Sequence, residues 1–587
     1  MLVYGETTRT HDPHERLDGL AQTLRRAAAE PGGILRHESL VCALIEAGEL
    51  LQGIADADRA EMGRDALSPS QAAATALLMQ IAHAVLDSWQ RGFEGDVPTM
   101  AESLSALAAM PLPSRITTKW AEGFTFYALY PESYALAAAR SGLPPETQVV
   151  GIRSIGAPLG AIVAAGLGAA PPVTVRPGGH PFRREIGLDA VLSARLAGAK
   201  AAGAAIVDEG PGLSGSSFGA VADRLEGLGV PEHRIALFPS HAGSPGPQAS
   251  ERHRDRWGRL ARHLVPFEAI VLDPERGLTA WAEDLIGSLD GPVEEISGGG
   301  WRHRHYAGEA DWPPVNAQGE RRKFLLRAQG ETWLARFAGL GRAGADKLDR
   351  ATSLHAAGFG PPVAGYRHGF LIERWIDGAL PLDRRPADPD RLVDTLGRYL
   401  GFRARTFPSG PGRGASLADL LAMARHNTAE SLGPDAARAF DRWNPEQVEA
   451  LQRRSHPVAV DGRLQSWEWL VLPDGRLLKS DALDHHAGHD LVGCQDIAWD
   501  VAGACEELDL SPEARGDVQA RVAREAGSPV DANLLELLTP CYLAFQLGAW
   551  TMAAGAATDP AEAGRIDRLV RRHARRLARV LAEGASR

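Results

Sequence analysis

The sequence predicts a multidomain protein of mixed α/β and α+β class, with a helical N-terminal region, a parallel-sheet domain and a two-lobed C-terminal domain. Three observations carry this. Residues 1–112 repeat apolar side chains at three- and four-residue spacings, the helical period. Across 113–245, short apolar runs alternate with Gly-rich loops and Ala-rich helices, as in a parallel sheet. After a helical connector over 246–295, residues 296–587 begin with short strands and become mostly helical. At about 100–200 residues per domain, 587 residues accommodate this division.

In order, the helices expected first are Arg16–Ala28, Leu35–Ile54, Ser70–Trp89 and Met100–Ala109. Ser68-Pro69-Ser70 and Pro98-Thr99 supply start signals for two of them. No polar residue there stands out, so a packing or oligomerisation surface is expected. Strands follow at Gln148–Ile152, Ala204–Val207 and Ile235–Phe238, and Gly243–Gln248 reads as an exposed loop. In the last region, strands around Lys323–Arg327 and Thr332–Phe337 flank a Gly-Glu turn, and a helix spans about Ala345–Ala357. A strand–turn–strand unit, Trp469–Val471 and Leu477–Lys479, surrounds Asp474-Gly475.

Lys and Arg total 63 against 74 Asp and Glu, a net charge of −11, which argues against nucleic acid or an anionic membrane surface as partner. Small-molecule substrates are expected instead, with the oligomeric state left open. The longest apolar run, Leu159–Val173, is broken by Gly and Pro and too short to span a bilayer. The first residues lack a basic stretch followed by an apolar one, so no signal peptide is expected. Four scattered cysteines without a CxxC pair point to a reducing, cytoplasmic setting.

The sharpest signal runs from Ala204 to Phe218. A buried strand delivers Asp208 and Glu209 to its C-terminal tip, where open α/β sheets bind ligands. Ser214, Gly215, Ser216 and Ser217 then open a helix, whose free N–H groups and dipole favour an anion. The carboxylates suit sugar hydroxyls or Mg²⁺. The segment resembles the signature of type I phosphoribosyltransferases over about 120–130 residues, Gly123 to His241. That resemblance implies phosphoribosyl pyrophosphate and Mg²⁺, with Asp208 and Glu209 on the ribose and Ser214–Ser217 on the phosphate. It also implies a pyrophosphate loop at Arg153-Ser154 and a mobile lid carrying Arg176, Arg183 and Arg184. Arg153 would stabilise the departing pyrophosphate as the anomeric carbon is displaced. Five residues, Gly210–Ser214, separate Glu209 from Gly215, one more than the family pattern has.

Residues from about 296 onward resemble the aminoglycoside-phosphotransferase and choline-kinase branch of the protein-kinase-like fold. The landmarks come in family order: a loop with Gly298, Gly299 and Gly300, Arg336 where the strand lysine belongs, and Glu373 on the hinge strand. The resemblance implies ATP binding. The family's His-Gly-Asp, four residues, Asn becomes Asp461-Gly462-Arg463 and Glu468, while Asp481 keeps the second metal position. Glu468 and Asp481 are the expected Mg²⁺ ligands, but a guanidinium at 463 is no base. His485, His486 and His489 invite a metal reading, against a structural one in which Asp496 or Asp500 braces the catalytic loop. The leading expectation is phosphoribosyl transfer to an unidentified acceptor beside a degenerate kinase-like domain. The alternatives are an ATP-dependent small-molecule phosphotransferase with a phosphoribosyl-sensing central domain, or a non-catalytic nucleotide-responsive protein.

Overall fold

The computed structural model describes residues 8–317, 319–410, 413–488 and 491–585. Asp12 and Ser68 cap the helices Pro13–Ala29 and Pro69–Gln90, with Pro at the first turn of each; Ile34–Met62 and Ala101–Ala108 complete the N-terminal set. This region is not all helix. Strand β1 (Thr8–His11) pairs antiparallel with β2 (Ile116–Lys119), a pairing too short and polar to register as a period.

Next come β3 (Gln148–Ile152), β4 (Val173–Val175), the hairpin β5 (Gly178–His180) and β6 (Arg183–Glu185), then β7 (Ala204–Val207), β8 (Ile235–Phe238) and β9 (Ala261–Arg262). The five-stranded sheet is parallel in the order β4-β3-β7-β8-β9. β7 and β8 are buried along their whole length, as expected for strands covered on both faces. The N-terminal helices lie on one face, against the helix Gly156–Leu167. Gly48 permits that approach, since a Cβ there would meet the Pro158 ring at 2.6 Å.

The C-terminal region opens with β10 (Glu294–Glu295), β11 (Lys323–Ala328), β12 (Glu331–Phe337), β13 (Val363–Arg367) and β14 (Phe370–Arg374). They form an antiparallel sheet in the order β10-β11-β12-β14-β13, with the helix Arg342–Ala356 between β12 and β13 in sequence. The second lobe is helical around small sheets made by β15 (Leu380–Pro381), β16 (Pro457–Val458), β17 (Trp469–Val471), β18 (Leu477–Lys479) and β19 (Gln495–Asp496). There β15 pairs β17, β17 pairs β18, and β16 pairs β19.

One apolar core runs from the N-terminal helices across a face of the parallel sheet to Trp281 of the connector and on to Phe324, Phe337 and Phe370. Residues 1–112 thus share a core with the central sheet and the antiparallel lobe. A second core fills the helical lobe, and a third lies under the other sheet face around Phe218 and Trp257. Among the described residues, no helix is long and apolar enough to cross a membrane.

Candidate functional site

Two acidic sites emerge. The first is a crevice in the parallel sheet. β3 has β4 on one side and β7 on the other, so the strand order reverses there, and the tips of β3 and β7 carry Arg153-Ser154 and Asp208-Glu209. The Asp208 carboxylate accepts the Glu209 N–H at 2.9 Å, and the Asp208 carbonyl accepts the Tyr134 hydroxyl at 2.9 Å. Burial pushes the Asp208 carboxyl up to about 7. Glu209 accepts the Gly123 N–H at 3.1 Å.

The serine loop lies beside this pair and opens the helix Ser216–Gly227 after Gly215, which takes a left-handed φ of 59°. Its hydroxyls are engaged. Ser216 donates to the Pro181 carbonyl at 2.7 Å, and Ser214 donates toward the same carbonyl at 3.3 Å and to Ser216 Oγ at 2.9 Å. Pro181 is in the turn between β5 and β6, so the expected lid rests its tip on the serines. Ser217 stands in the first turn of the helix.

The expected cations divide. Arg153 is buried; its guanidinium binds Asp65, Asp56 Oδ1 at 3.0 Å and the Thr174 carbonyl at 3.2 Å. Arg176 binds Asp56 as well and donates to the Arg153 carbonyl at 2.6 Å. Both guanidiniums are therefore held by acids from the end of the helix Ile34–Met62 and the turn after it, far away in sequence. Arg183 is exposed on β6 and Arg184 beside it is half-buried, its charge reaching Asp208, while Ser154 Oγ is buried without a partner.

The second site is the cleft between the two C-terminal lobes. Arg336 on β12 pairs with Glu373 Oε2 on neighbouring β14 at 2.8 Å and with Asp481 Oδ1 at 2.9 Å. Lys347, from the helix Arg342–Ala356, reaches Asp484 Oδ2 at 2.8 Å, which Arg321 approaches at 3.4 Å. Lys479 lies 3.6 Å from Asp461 and 3.9 Å from Glu468. His485 stands between Asp461 and Asp481, at 3.5 and 3.6 Å. Burial alone would raise the Asp461 carboxyl, but Lys479, His485 and Arg403 outweigh it and hold it at about 2. His485, the lysines and Arg336 likewise hold Asp481 and Asp484 well below the usual carboxylate range.

Asp500 fixes the loop that carries these groups. It accepts the N–H of Asp461 at 2.7 Å and of Gly462 at 2.9 Å, while Asp496 caps the helix Ala498–Glu507 through the Ala498 N–H. Of the two candidate braces, Asp500 is the one that holds the Asp461–Gly462 backbone. Arg463 is half-buried at the same loop, and among the described residues its side chain makes no ion pair.

Gly298–Gly300 lie between β10 and β11. Gly298 and Gly299 take left-handed φ values of 60° and 87°, and the Gly299 N–H binds Glu320. Sequence reasoning missed what ties this segment down. Arg302 bonds Glu562 of the C-terminal helix at 2.7 Å, Val315 N–H bonds the same carboxylate at 2.7 Å, and His305 stacks on Trp375 just past β14 at 5.0 Å. Only the fold brings Glu562 there, so no local motif could have signalled it.

For a divalent cation, Asp481, Asp484 and His485 offer ligand atoms within 4.8 Å of one another, and Glu468 faces the same lysine. Carboxylate oxygens are the donors Mg²⁺ requires; Asp481 gives Oδ1 to Arg336 and faces His485 with Oδ2 at 3.6 Å, while Glu468 is not part of the cluster whose ligand atoms converge. Burial drives His486 toward its neutral form; His489 lies outside the described residues.

No family model matches the chain, and no curated protein does. Among solved structures, choline kinase LicA from Streptococcus pneumoniae is 13% identical, covering 43% of this chain and 89% of that one with a TM-score of 0.27. Spectinomycin phosphotransferase APH(9)-Ia, in complex with ADP and spectinomycin, is 9% identical, covering 52% and 97% with a TM-score of 0.34. A microcompartment-associated aminopropanol kinase is 16% identical, covering 46% and 91% with a TM-score of 0.29. None of these three is a phosphoribosyltransferase. The likenesses are weak, and the chemistry has to come from the cleft itself.

Proposed function

We propose that the protein is an ATP-dependent small-molecule phosphotransferase working in the cleft between its C-terminal lobes. The supporting observation is the convergence of Arg336, Lys479, Asp461 and Asp481 on a loop braced by Asp500. Arg336, oriented by Glu373, offers a planar fork to nucleotide phosphates. Asp481 would hold Mg²⁺, which neutralises phosphate charge when bound.

Arg463 narrows the acceptor. A positioned base is worth about 10²–10⁴ in rate, and a guanidinium cannot supply that. Phosphoryl transfer otherwise depends on positioning and electrostatics. An acceptor that is already ionised, a phosphate or carboxylate, needs no proton removed, and Arg463 would bind it through paired N–H groups. The test is γ-phosphate transfer from ATP with Mg²⁺ to phosphomonoesters and carboxylates, against neutral polyols and amino alcohols. Transfer to the anionic set, lost in Asp481→Asn, is the expected result. No thermal stabilisation by ATP with Mg²⁺ would sink the reading.

The crevice has its own reading, as a sugar-phosphate site. Its acid pair and serine loop share the tip of β7, where strand order reverses. Binding is favoured over phosphoribosyl transfer because Arg153 and Arg176, the cations expected to receive pyrophosphate, are neutralised by Asp56 and Asp65. Pyrophosphate release from phosphoribosyl pyrophosphate, abolished by Asp208→Ala, would restore the transferase alternative.

A further inference from the structure

Away from both sites, three side chains meet where the N-terminal helices, the central domain and the antiparallel lobe join. His37 comes from the helix Ile34–Met62, Glu132 from Pro131–Arg140, and His368 from the turn between β13 and β14. His37 and His368 are 0% exposed and Glu132 is 1%. Glu132 Oε1 faces His37 Nε2 at 2.7 Å and His368 Nε2 at 3.1 Å. Glu132 Oε2 has no partner, and neither does His368 Nδ1.

The setting makes that carboxylate costly. Trp89, Phe93, Tyr130 and Trp281 pack around the two imidazoles, and no Lys or Arg pairs with Glu132 among the described residues. A buried charge needs a counter-charge and full hydrogen bonding, and this one has a bare oxygen. A bound metal would supply the counter-charge this carboxylate lacks, and imidazole nitrogens beside carboxylate oxygens are donors it takes.

We propose that His37, Glu132 and His368 bind one zinc-class divalent metal ion. Two Nε2 atoms and both carboxylate oxygens make four donors, and one atom from each residue already lies within 4.8 Å of the others. Tetrahedral zinc with bonds of about 2.0–2.1 Å sets donors from different residues about 3.3 Å apart. Each ring would have to draw back from Glu132 Oε1, which now lies 2.7 and 3.1 Å from the two Nε2 atoms. Ser88 Oγ, 2.9 Å from His37 Nδ1, would accept that ring's proton and leave Nε2 free for the metal. Nitrogen with oxygen, fully dehydrated, favours zinc over Mg²⁺ or Ca²⁺. The ion would staple three parts of the chain through their shared core, independently of the phosphotransfer cleft.

The full-length chain, expressed with added zinc and dialysed without chelator, is expected to hold about one zinc per molecule. Its cobalt-substituted form should show the visible absorption of four-coordinate Co²⁺. His368 sits at φ 40°, which Asn tolerates, so His368→Asn preserves the turn and should lower zinc content at least about tenfold. Asp481→Asn should leave it unchanged. Zinc below about 0.1 per chain with no cobalt band overturns the site. So does zinc lost in Asp481→Asn but kept in His368→Asn, which moves the ion to the cleft.

Discussion

The crevice and the cleft are both lined with acids, and the fold treats them in opposite ways. In the crevice, burial pushes Asp208 up to about 7 against the Glu209 N–H and the weaker pull of Arg176 and Arg184; in the cleft, Lys479 and its neighbours hold the fully buried Asp461 at about 2. The difference lies in where the cations went. Arg153 and Arg176 are ion-paired with Asp56 and Asp65 rather than with Asp208, whereas Arg336, Lys347 and Lys479 pair directly with or stand beside Asp481, Asp484 and Asp461. The cleft carries its own counter-charges and stays ionised near neutrality. The crevice changes charge there.

The largest break in this comparison comes from Arg336→Met. It strips Glu373 and Asp481 of their shared cation in a buried setting, where removing one partner costs about 3–5 kcal/mol. Urea unfolding should read that loss, and nucleotide-dependent thermal stabilisation should vanish with it. Arg336→Lys keeps the charge without the fork, so stability should partly return while turnover stays low.

Asp481→Asn comes next. It removes the charge that His485 and Arg336 face but leaves Arg336 its Glu373, so stability should fall by less than in Arg336→Met. Turnover should fall by about 10²–10³, the scale seen when one transition-state electrostatic contact is lost. Equal losses of stability and turnover would mean that Asp481 acts only as a brace.

Much of this contrast was legible in the chain. β3, β7, β8, β17 and β18 fall where the apolar runs end, because fully buried short strands leave few alternatives. The acid pair at the tip of β7 followed from strand and loop alone, whereas Arg336, Glu373 and Asp481 were legible only through the resemblance to the kinase-like family. What could not be read was pairing across distance. Asp56 and Asp65 look like ordinary helix-end charges until the fold sets them on Arg153, and Lys347 reads as a helix surface although it is buried on Asp484. The β1–β2 pairing joins residues 8–11 to 116–119 across four helices, beyond the reach of any local period.

The pH response sharpens the contrast with a smaller effect. Asp208 has a folded-state pKa raised above its unfolded value of 3.8, so its contribution to stability is full below about pH 4 and is lost as pH rises through about 7. Asp461, held at about 2, contributes the reverse: its share is present above 3.8 and lost only in strong acid. Thermal melts from pH 5 to 8 should therefore show a decline that flattens in Asp208→Asn. Asp500, raised to about 6, and His485, also raised, decline in the same direction, so the wild-type minus variant difference is the quantity to measure. An unchanged slope would mean the Asp208 carboxyl ionises as freely as in the unfolded chain.

The smallest effect concerns how each site is closed. Ion pairs across the lobes hold the cleft, whereas the crevice is covered by a hairpin whose tip is held by serine hydroxyls. Ser216→Ala removes the shorter of those bonds, worth about 0.5–1.5 kcal/mol net, and leaves Ser214 as the remaining donor. Amide exchange over 178–185 should quicken severalfold while exchange around Lys479 and Asp481 stays unchanged. Because that carbonyl occupies the hydroxyls a phosphate would use, the same variant should not simply weaken a sugar phosphate by the loss of one donor. Opening the hairpin costs less once the bond is gone, and the two changes offset each other. Affinity near wild type with faster association would identify the hairpin as a competitor for the serines; a plain loss of affinity with no change in association would show that it does not compete.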